Sequence, residues 1–169
     1  RCRSWRDVQK SPIMDVEDDE VVQLWKALAD HKVRYIMIGG FAVNYHGFSR
    51  TTGDLDMWIE DTHENRQHLA DAFDELFDED YSCFLTLEFI PGWTAFRFMS
   101  GFEIDIMTDV KGLGKERFNE CFEIAPVSEI LGVPVRFLHY NHLIKSKEAA
   151  GRPRDLWDIE DLKKRNPDS

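Results

Sequence analysis

A short apolar run that ends at two adjacent glycines constrains the fold of this chain more than any other feature. Residues 33–38 are almost wholly apolar and partly β-branched, which is typical of a strand buried on both faces. Gly39 and Gly40 predict a sharp exit from that strand into a second helix that ends near Gly47. A helix N-terminus offers unpaired N–H groups that suit a phosphate. A glycine pair is also ordinary turn chemistry, and the residues alone leave both interpretations open.

Two aspartates separated by one leucine follow this unit. Residues 54–60 alternate, which predicts a strand with Leu55 in the core and both Asp54 and Asp56 on the opposite face. Trp58 falls on the same side as the two acids. The acids lie about 6.8 Å apart along such a strand, so both carboxylates can contact one cation, and Mg²⁺ prefers such oxygen ligands. The alternative is that both acids lie on the solvent-exposed face of an edge strand.

A third acid lies on another predicted strand. In residues 102–106 the apolar side chains at 102, 104 and 106 face the core, so Glu103 and Asp105 face the other way. If the two strands are neighbours, Asp105 meets the first two acids, where it could bind a second metal or accept the proton of an attacking hydroxyl. Three carboxylates in one place repel one another unless a cation lies among them. The three acids together therefore favour a metal site.

The remaining pattern predicts short helices and strands in alternation. Apolar spacing predicts one helix over about 18–31 and another that follows residue 61 or 62. Strand-like runs at 84–90, 93–99 and 102–107 suggest antiparallel hairpins, and two further short runs lie at 121–127 and 133–138. A helical C-terminus covers about 139–164, interrupted by Gly151 and Pro153.

These elements predict an α/β fold with a mixed, largely antiparallel sheet that is flanked by helices. The length of 169 residues suits one domain, which we place at 18–169. Residues 1–17 have no clear period and are expected to be an N-terminal arm or a cloning remnant.

Charge, cysteine usage and hydropathy limit the classes of protein that fit. The net charge is −11, and residues 54–80 contain eleven acids against one base, Arg66, a field that repels nucleic acid over most of the surface. Bases collect near the C-terminus, so local binding of nucleic acid stays open. Three widely spaced cysteines argue against a disulfide framework and favour the cytoplasm. No apolar run approaches the roughly 18 residues of a membrane span.

The order of these motifs resembles a known family. Ile38-Gly39-Gly40, thirteen intervening residues, Asp54-Leu55-Asp56 and the later Asp105 are similar to the signature of the polymerase-beta-type nucleotidyltransferase superfamily. Residues 39–47, 50–52 and 147–158 resemble its minimal and abortive-infection-type members. The resemblance spans about 33–162 and implies the nucleotidyltransferase fold.

The resemblance implies roles for the glycines and the acids. Gly39 and Gly40 would contact the triphosphate, although many members have serine at the position of Gly40 and would use its hydroxyl. The acidic triad of Asp54, Asp56 and Asp105 would bind Mg²⁺, or Mn²⁺ in its place.

The resemblance also implies basic partners for the phosphates. Lys147 and Arg152 would face the pyrophosphate leaving group, the first as a point charge and the second as a bidentate fork. Arg50 would reach phosphate too, or would be solvated as an exposed loop arginine.

The implied activity is magnesium-dependent transfer of a nucleoside monophosphate from a nucleoside triphosphate, such as ATP, to an acceptor hydroxyl or amine, with release of pyrophosphate. The alternative is an inactive protein of the same fold that binds a nucleotide or a partner, for instance in a toxin-antitoxin pair. The acceptor could be a small molecule, a protein or a transfer RNA. The chain is short, so a homodimer or a partner subunit could complete the site.

Overall fold

The computed structural model describes residues 19–47, 52–91, 94–98 and 101–167. The predicted phosphate contact of Arg50 and the predicted N-terminal arm lie outside these residues. The helices are α1 Asp19–Asp30, α2 Gly39–Tyr45, α3 His63–Phe77, α4 Phe118–Ile124, α5 Tyr140–Ala150 and α6 Pro153–Arg165. The strands are β1 Tyr35–Met37, β2 Asp54–Ile59, β3 Ala95–Arg97, β4 Glu103–Met107, β5 Val127–Ile130 and β6 Val133–Arg136.

The sheet is mixed, which confirms the predicted fold class. Its strand order is β1-β2-β4-β3, with β1 antiparallel to β2, β2 parallel to β4, and β3 antiparallel to β4. Strands β5 and β6 form an antiparallel hairpin, and a parallel bridge between Met37 and Phe137 joins the end of that hairpin to β1. Because β2 lies between β1 and β4, the alternative that its acids sit on an edge strand is wrong.

Helices cover both faces of the sheet, but unequally. Helices α1 and α3 pack on the face that carries Leu55 and Met57. On the other face Trp58 is buried against Phe118, with ring centroids 5.2 Å apart, and its indole N–H donates to the carbonyl of Thr108. The sequence predicted Trp58 on the same side as the two acids, and it lies there. This face is covered at the Trp58 end of β2 and carries the acids at the other end.

The predicted strand at 84–90 is wrong. Residues Ser82–Leu85 form a 3₁₀ helix, and residues 87–91 belong to no strand. The guanidinium of Arg66 donates to the carbonyls of Phe84 and Leu87, at 2.8 Å in each case. The carbonyls that a neighbouring strand would need are therefore bonded to a side chain of α3, and Phe84 packs on Phe73 instead of in a ladder.

Two other predicted runs were partly wrong. The run at 121–127 is helical as far as residue 124, because Phe118 and Cys121 form the buried face of α4, and only Val127 begins a strand. In the run at 93–99 the strand covers residues 95–97, and residues 92, 93, 99 and 100 lie outside the described part of the chain.

Of the helices in the described residues, none has both the length and the apolar character to cross a membrane.

Candidate active site in an acidic cleft

The parallel pairing of β2 with β4 brings the predicted acids together. Asp56 lies directly opposite Asp105, and Asp54 lies opposite Glu103. Neighbouring strands are about 4.8 Å apart, so the first pair places two carboxylates on adjacent positions of the sheet. Leu55 between the acids is fully buried, which is the alternation that the sequence predicted. Asp54 is exposed, whereas Asp56 and Asp105 are partly enclosed.

The electrostatics of Asp56 show that this part of the sheet has an excess of negative charge. The pKa of Asp56 is raised from 3.8 to about 6, first by burial and then by the nearby charges of Asp105 and Asp54. The charge of Lys147 and a hydrogen bond from the N–H of Gly40 act in the opposite sense without cancelling the rise. A cation placed among these carboxylates would relieve their repulsion.

The glycine pair packs against Asp56. Gly39 has φ +57°, and a Cβ atom built there would lie 1.9 Å from Asp56 Oδ2. The main chain on both sides of Gly39 also contacts Asp56: the N–H of Ile38 donates to its carbonyl at 3.0 Å, and the N–H of Gly40 donates to its carboxylate. The pair therefore lets the start of α2 approach Asp56, a role that the sequence did not predict. Contact with a triphosphate stays a prediction.

Lys147 reaches the site from α5 as part of a buried ion group. Its Nζ lies 2.7 Å from Asp158 Oδ2 and 3.3 Å from Asp155 Oδ1, and all three side chains are nearly inaccessible. Burial alone would raise the pKa of Asp155, but hydrogen bonding by Arg152 and the charge of Lys147 together lower it. Gly151 ends α5 in the left-handed conformation, and this turn lets α6 return its acids to Lys147.

Arg152 joins the same ion group from outside. Its Nε lies 2.8 Å from Asp155 Oδ2, while its side chain is 76% exposed. The sequence singled out Lys147 and Arg152 as phosphate partners and missed Asp155 and Asp158 as partners of that lysine. Their spacing of three on a helix, with a lysine in the preceding helix, was the available signal.

An acidic cleft of about 480 Å³ collects most of these groups. Its lining includes Gly39, Asp56, Asp105, Lys147 and Arg152, and the apolar side chains of Val110 and Leu143 form part of its wall. Five separate regions of the chain thus contribute to one cavity of the size that small ligands occupy. Asp54 is not among the described residues that line the cleft.

The oxygen ligands of the acidic cleft suit a magnesium ion that arrives with a substrate. Within the described parts of the chain, no three His, Cys, Asp or Glu side chains are arranged to hold a metal by themselves. Mg²⁺ usually takes one or two protein carboxylates and completes its shell with water and phosphate oxygens. Asp56 and Asp105 supply that number, and burial together with the neighbouring carboxylates raises the pKa of Asp56.

Comparisons with known proteins bear on the fold. No protein-family model matches the chain, and no curated protein matches it either. Among solved structures, it is similar to an antigenic nucleotidyltransferase-like protein from Paracoccidioides brasiliensis, with a TM-score of 0.57 and 19% sequence identity. The alignment covers 92% of this chain and 78% of that one. At this identity the similarity shows a shared fold, so the chain has a nucleotidyltransferase-like fold.

Proposed function

We propose that the acidic cleft binds a nucleoside triphosphate with Mg²⁺ and transfers the nucleoside monophosphate to an acceptor hydroxyl or amine, releasing pyrophosphate. The observation that carries the proposal is the register of Asp56 opposite Asp105 on parallel strands, within a cleft that also contains Lys147 and Arg152. In this proposal the two acids form the divalent-cation site, and the two bases supply positive charge for the phosphates.

Asp56 and Asp105 would have partly different roles in the reaction. Asp56 and Asp105 would hold Mg²⁺, or Mn²⁺ in its place, which when bound neutralises charge on the phosphates. Asp105 would also accept the proton of the acceptor group as that group bonds to the α-phosphorus and the bond to the leaving pyrophosphate breaks. Asp54 is exposed and lies two residues before Asp56 on β2, and we propose that it attracts the cation and completes the acidic triad.

The two cations would act on the leaving group in different ways. Arg152 is largely exposed and binds Asp155 through only one edge of its guanidinium, so it can turn a bidentate face to pyrophosphate. Lys147 is held between two carboxylates, which leaves less of its charge for a substrate. We therefore assign direct phosphate contact to Arg152 and positioning of the cleft wall to Lys147. A contact from Gly39 or Gly40 to the triphosphate belongs to the same proposal.

The test measures transfer of label from α-phosphate-labelled ATP, GTP, CTP and UTP to acceptors in a cell extract, with Mg²⁺ or Mn²⁺. We expect Asp56→Asn and Asp105→Asn each to reduce transfer by about a thousandfold, because each removes several kcal/mol of charge stabilisation. Asp109→Asn is the matched control, since this exposed acid lines the same cleft but follows β4. It should retain activity.

The outcomes separate an enzyme from a binding protein. Transfer that persists in Asp56→Asn would contradict the assignment of the site. Nucleotide binding without transfer, seen as a melting temperature that rises with nucleotide, would instead support an inactive member that binds a nucleotide or a partner, as in a toxin-antitoxin pair. One observation favours that second candidate: the N–H of Gly40 and the ammonium of Lys147 are both engaged by carboxylates. Chemical identification of the labelled product tells a small-molecule, protein or transfer RNA acceptor apart.

A further inference from the structure

A second cleft, of about 280 Å³, lies at the opposite end of β1 from the acidic cleft. Gly39 follows the C-terminal end of β1 and lines the acidic cleft, whereas residues 32–35 precede or begin β1 and line the second cleft. Of the described residues that line this second cleft, Lys32, Arg34 and Arg136 are cationic and none is acidic. We call it the basic cleft. Three cations gathered in a chain of net charge −11 are unusual enough to need a reason.

An aromatic ring organises the two arginines of the basic cleft. The Cζ atom of Arg34 lies 4.3 Å from the centroid of the Phe122 ring, and that of Arg136 lies 4.0 Å from the same centroid. A cation over an aromatic face gains electrostatic attraction at this distance. Phe122, from α4, therefore holds two like charges close together that would otherwise repel each other.

The two guanidinium groups differ in how their charge is balanced. Arg34 forms an ion pair with Glu60, with 3.0 Å between Nε and Oε2. Arg136 donates to the main-chain carbonyls of Phe122 and Ala125, at 2.9 and 3.1 Å, and forms no ion pair with a carboxylate of the described residues. A partly buried guanidinium whose partners are neutral carbonyls keeps its full charge, which attracts an anion into the cleft.

The walls of the basic cleft narrow the class of that anion. Val33, Val127 and Pro134 give it an apolar lining, and Val127 is 50% exposed at its rim. Its volume is slightly below the range of about 300–1,000 Å³ that is typical of drug-sized ligands. A bare inorganic anion would leave the apolar walls unused. We propose that the basic cleft binds a small organic carboxylate, with the carboxylate at Arg136 and Lys32 and a compact hydrocarbon body against the apolar wall.

The experiment titrates the full chain with benzoate, benzamide and inorganic phosphate, and follows backbone amide NMR signals and heat of binding. Benzoate should shift the amides of residues 32–36, 135 and 136 and should bind at least about tenfold more tightly than neutral benzamide, as a charge-assisted hydrogen bond requires. Phosphate should bind more weakly than benzoate. The proposal would be overturned if benzoate shifted the amide signals of the acidic cleft, or if it showed no saturable binding at millimolar concentration. It would also be overturned if benzamide bound with equal affinity or if phosphate bound more tightly than benzoate.

Two variants test the cations. Arg136→Gln should weaken benzoate binding about tenfold. Because that arginine also bonds two carbonyls, Lys32→Asn serves as a gentler variant: Lys32 has φ +56°, which asparagine tolerates, and its loss should weaken binding about threefold. The control for overall charge is Lys26→Gln, an exposed residue of α1 outside the cleft lining, which should leave benzoate affinity unchanged. Unchanged affinity in well-folded Lys32→Asn would contradict the assignment.

Discussion

The two ends of β1 are stabilised in opposite ways. At its C-terminal end, Gly39, Asp56 and the buried Lys147 group bring charges into close contact. Before its N-terminal end, the side-chain oxygen of Asn65 accepts a hydrogen bond from the N–H of Arg34 at 2.7 Å. The side-chain nitrogen of Asn65 donates to the carbonyls of Arg34 and Glu60. A neutral amide satisfies the main chain there without any net charge. The acids at the C-terminal end retain repulsion that a cation can relieve, whereas the main chain before the N-terminal end is hydrogen-bonded by an uncharged amide.

The largest effect is expected when Lys147, the cation of the buried ion group, is removed. Lys147→Met should lower the free energy of unfolding by about 3–5 kcal/mol, because it leaves Asp155 and Asp158 buried without their counter-charge. Denaturant unfolding measures the loss. The matched control is Lys163→Met, since Lys163 also links α6 to α5 through Glu148 but both side chains are exposed, and it should change stability by less than about 1 kcal/mol. Equal losses of unfolding free energy in the two variants would show that burial does not make the Lys147 ion group more important for stability than the exposed pair.

The next largest effect concerns the close approach at the glycine pair. Gly39→Ala should lower the free energy of unfolding by about 2–4 kcal/mol, since it combines a positive φ with a clash against Asp56. Gly47→Ala has φ +98° but its Cβ would meet nothing within 4 Å, so it should cost only about 1 kcal/mol. Thermal unfolding of both variants distinguishes backbone strain from the contact with Asp56.

The main chain before β1 should respond to the loss of the Asn65 amide. Asn65→Ala leaves the N–H of Arg34 without this acceptor and removes one donor each from the carbonyls of Arg34 and Glu60, which should cost about 2–3 kcal/mol. Gln67→Ala is the control on the same helix, because Gln67 is exposed and its side chain donates to Asp71 on the same helix, and it should stay within about 0.5 kcal/mol. A loss in Asn65→Ala as small as the control would refute the role given to this amide.

The smallest predicted effect depends on pH. The pKa of Asp56 is raised from 3.8 to about 6 in the folded protein, so folding binds a proton between these values and stability falls as pH rises through them. The difference in unfolding free energy between the unmodified chain and Asp56→Asn should therefore decline by on the order of 2 kcal/mol from pH 4 to pH 6. Equilibrium unfolding at several pH values checks this. A difference that grows with pH would mean that Asp56 is stabilised as an anion.

Local patterns were sufficient for several parts of this protein. Alternation along residues 54–59 and 103–107 predicted which side of each strand carries the acids, because successive side chains of a strand point to opposite faces. The break between α5 and α6 followed from Gly151 and Pro153, which limit the backbone wherever they occur. Such features depend on a few adjacent residues, so the sequence by itself determined them.

Only the tertiary structure decided how these parts meet. The parallel register that sets Asp56 opposite Asp105 joins strands separated by a helix and another strand, and nothing in either strand specifies it. The run at 84–90 looked like a strand, but the guanidinium of Arg66 bonds the carbonyls of Phe84 and Leu87. The pairing of Arg34 and Arg136 on one aromatic ring likewise spans distant segments. Contacts between residues far apart in the chain depend on packing, which local periodicity does not encode.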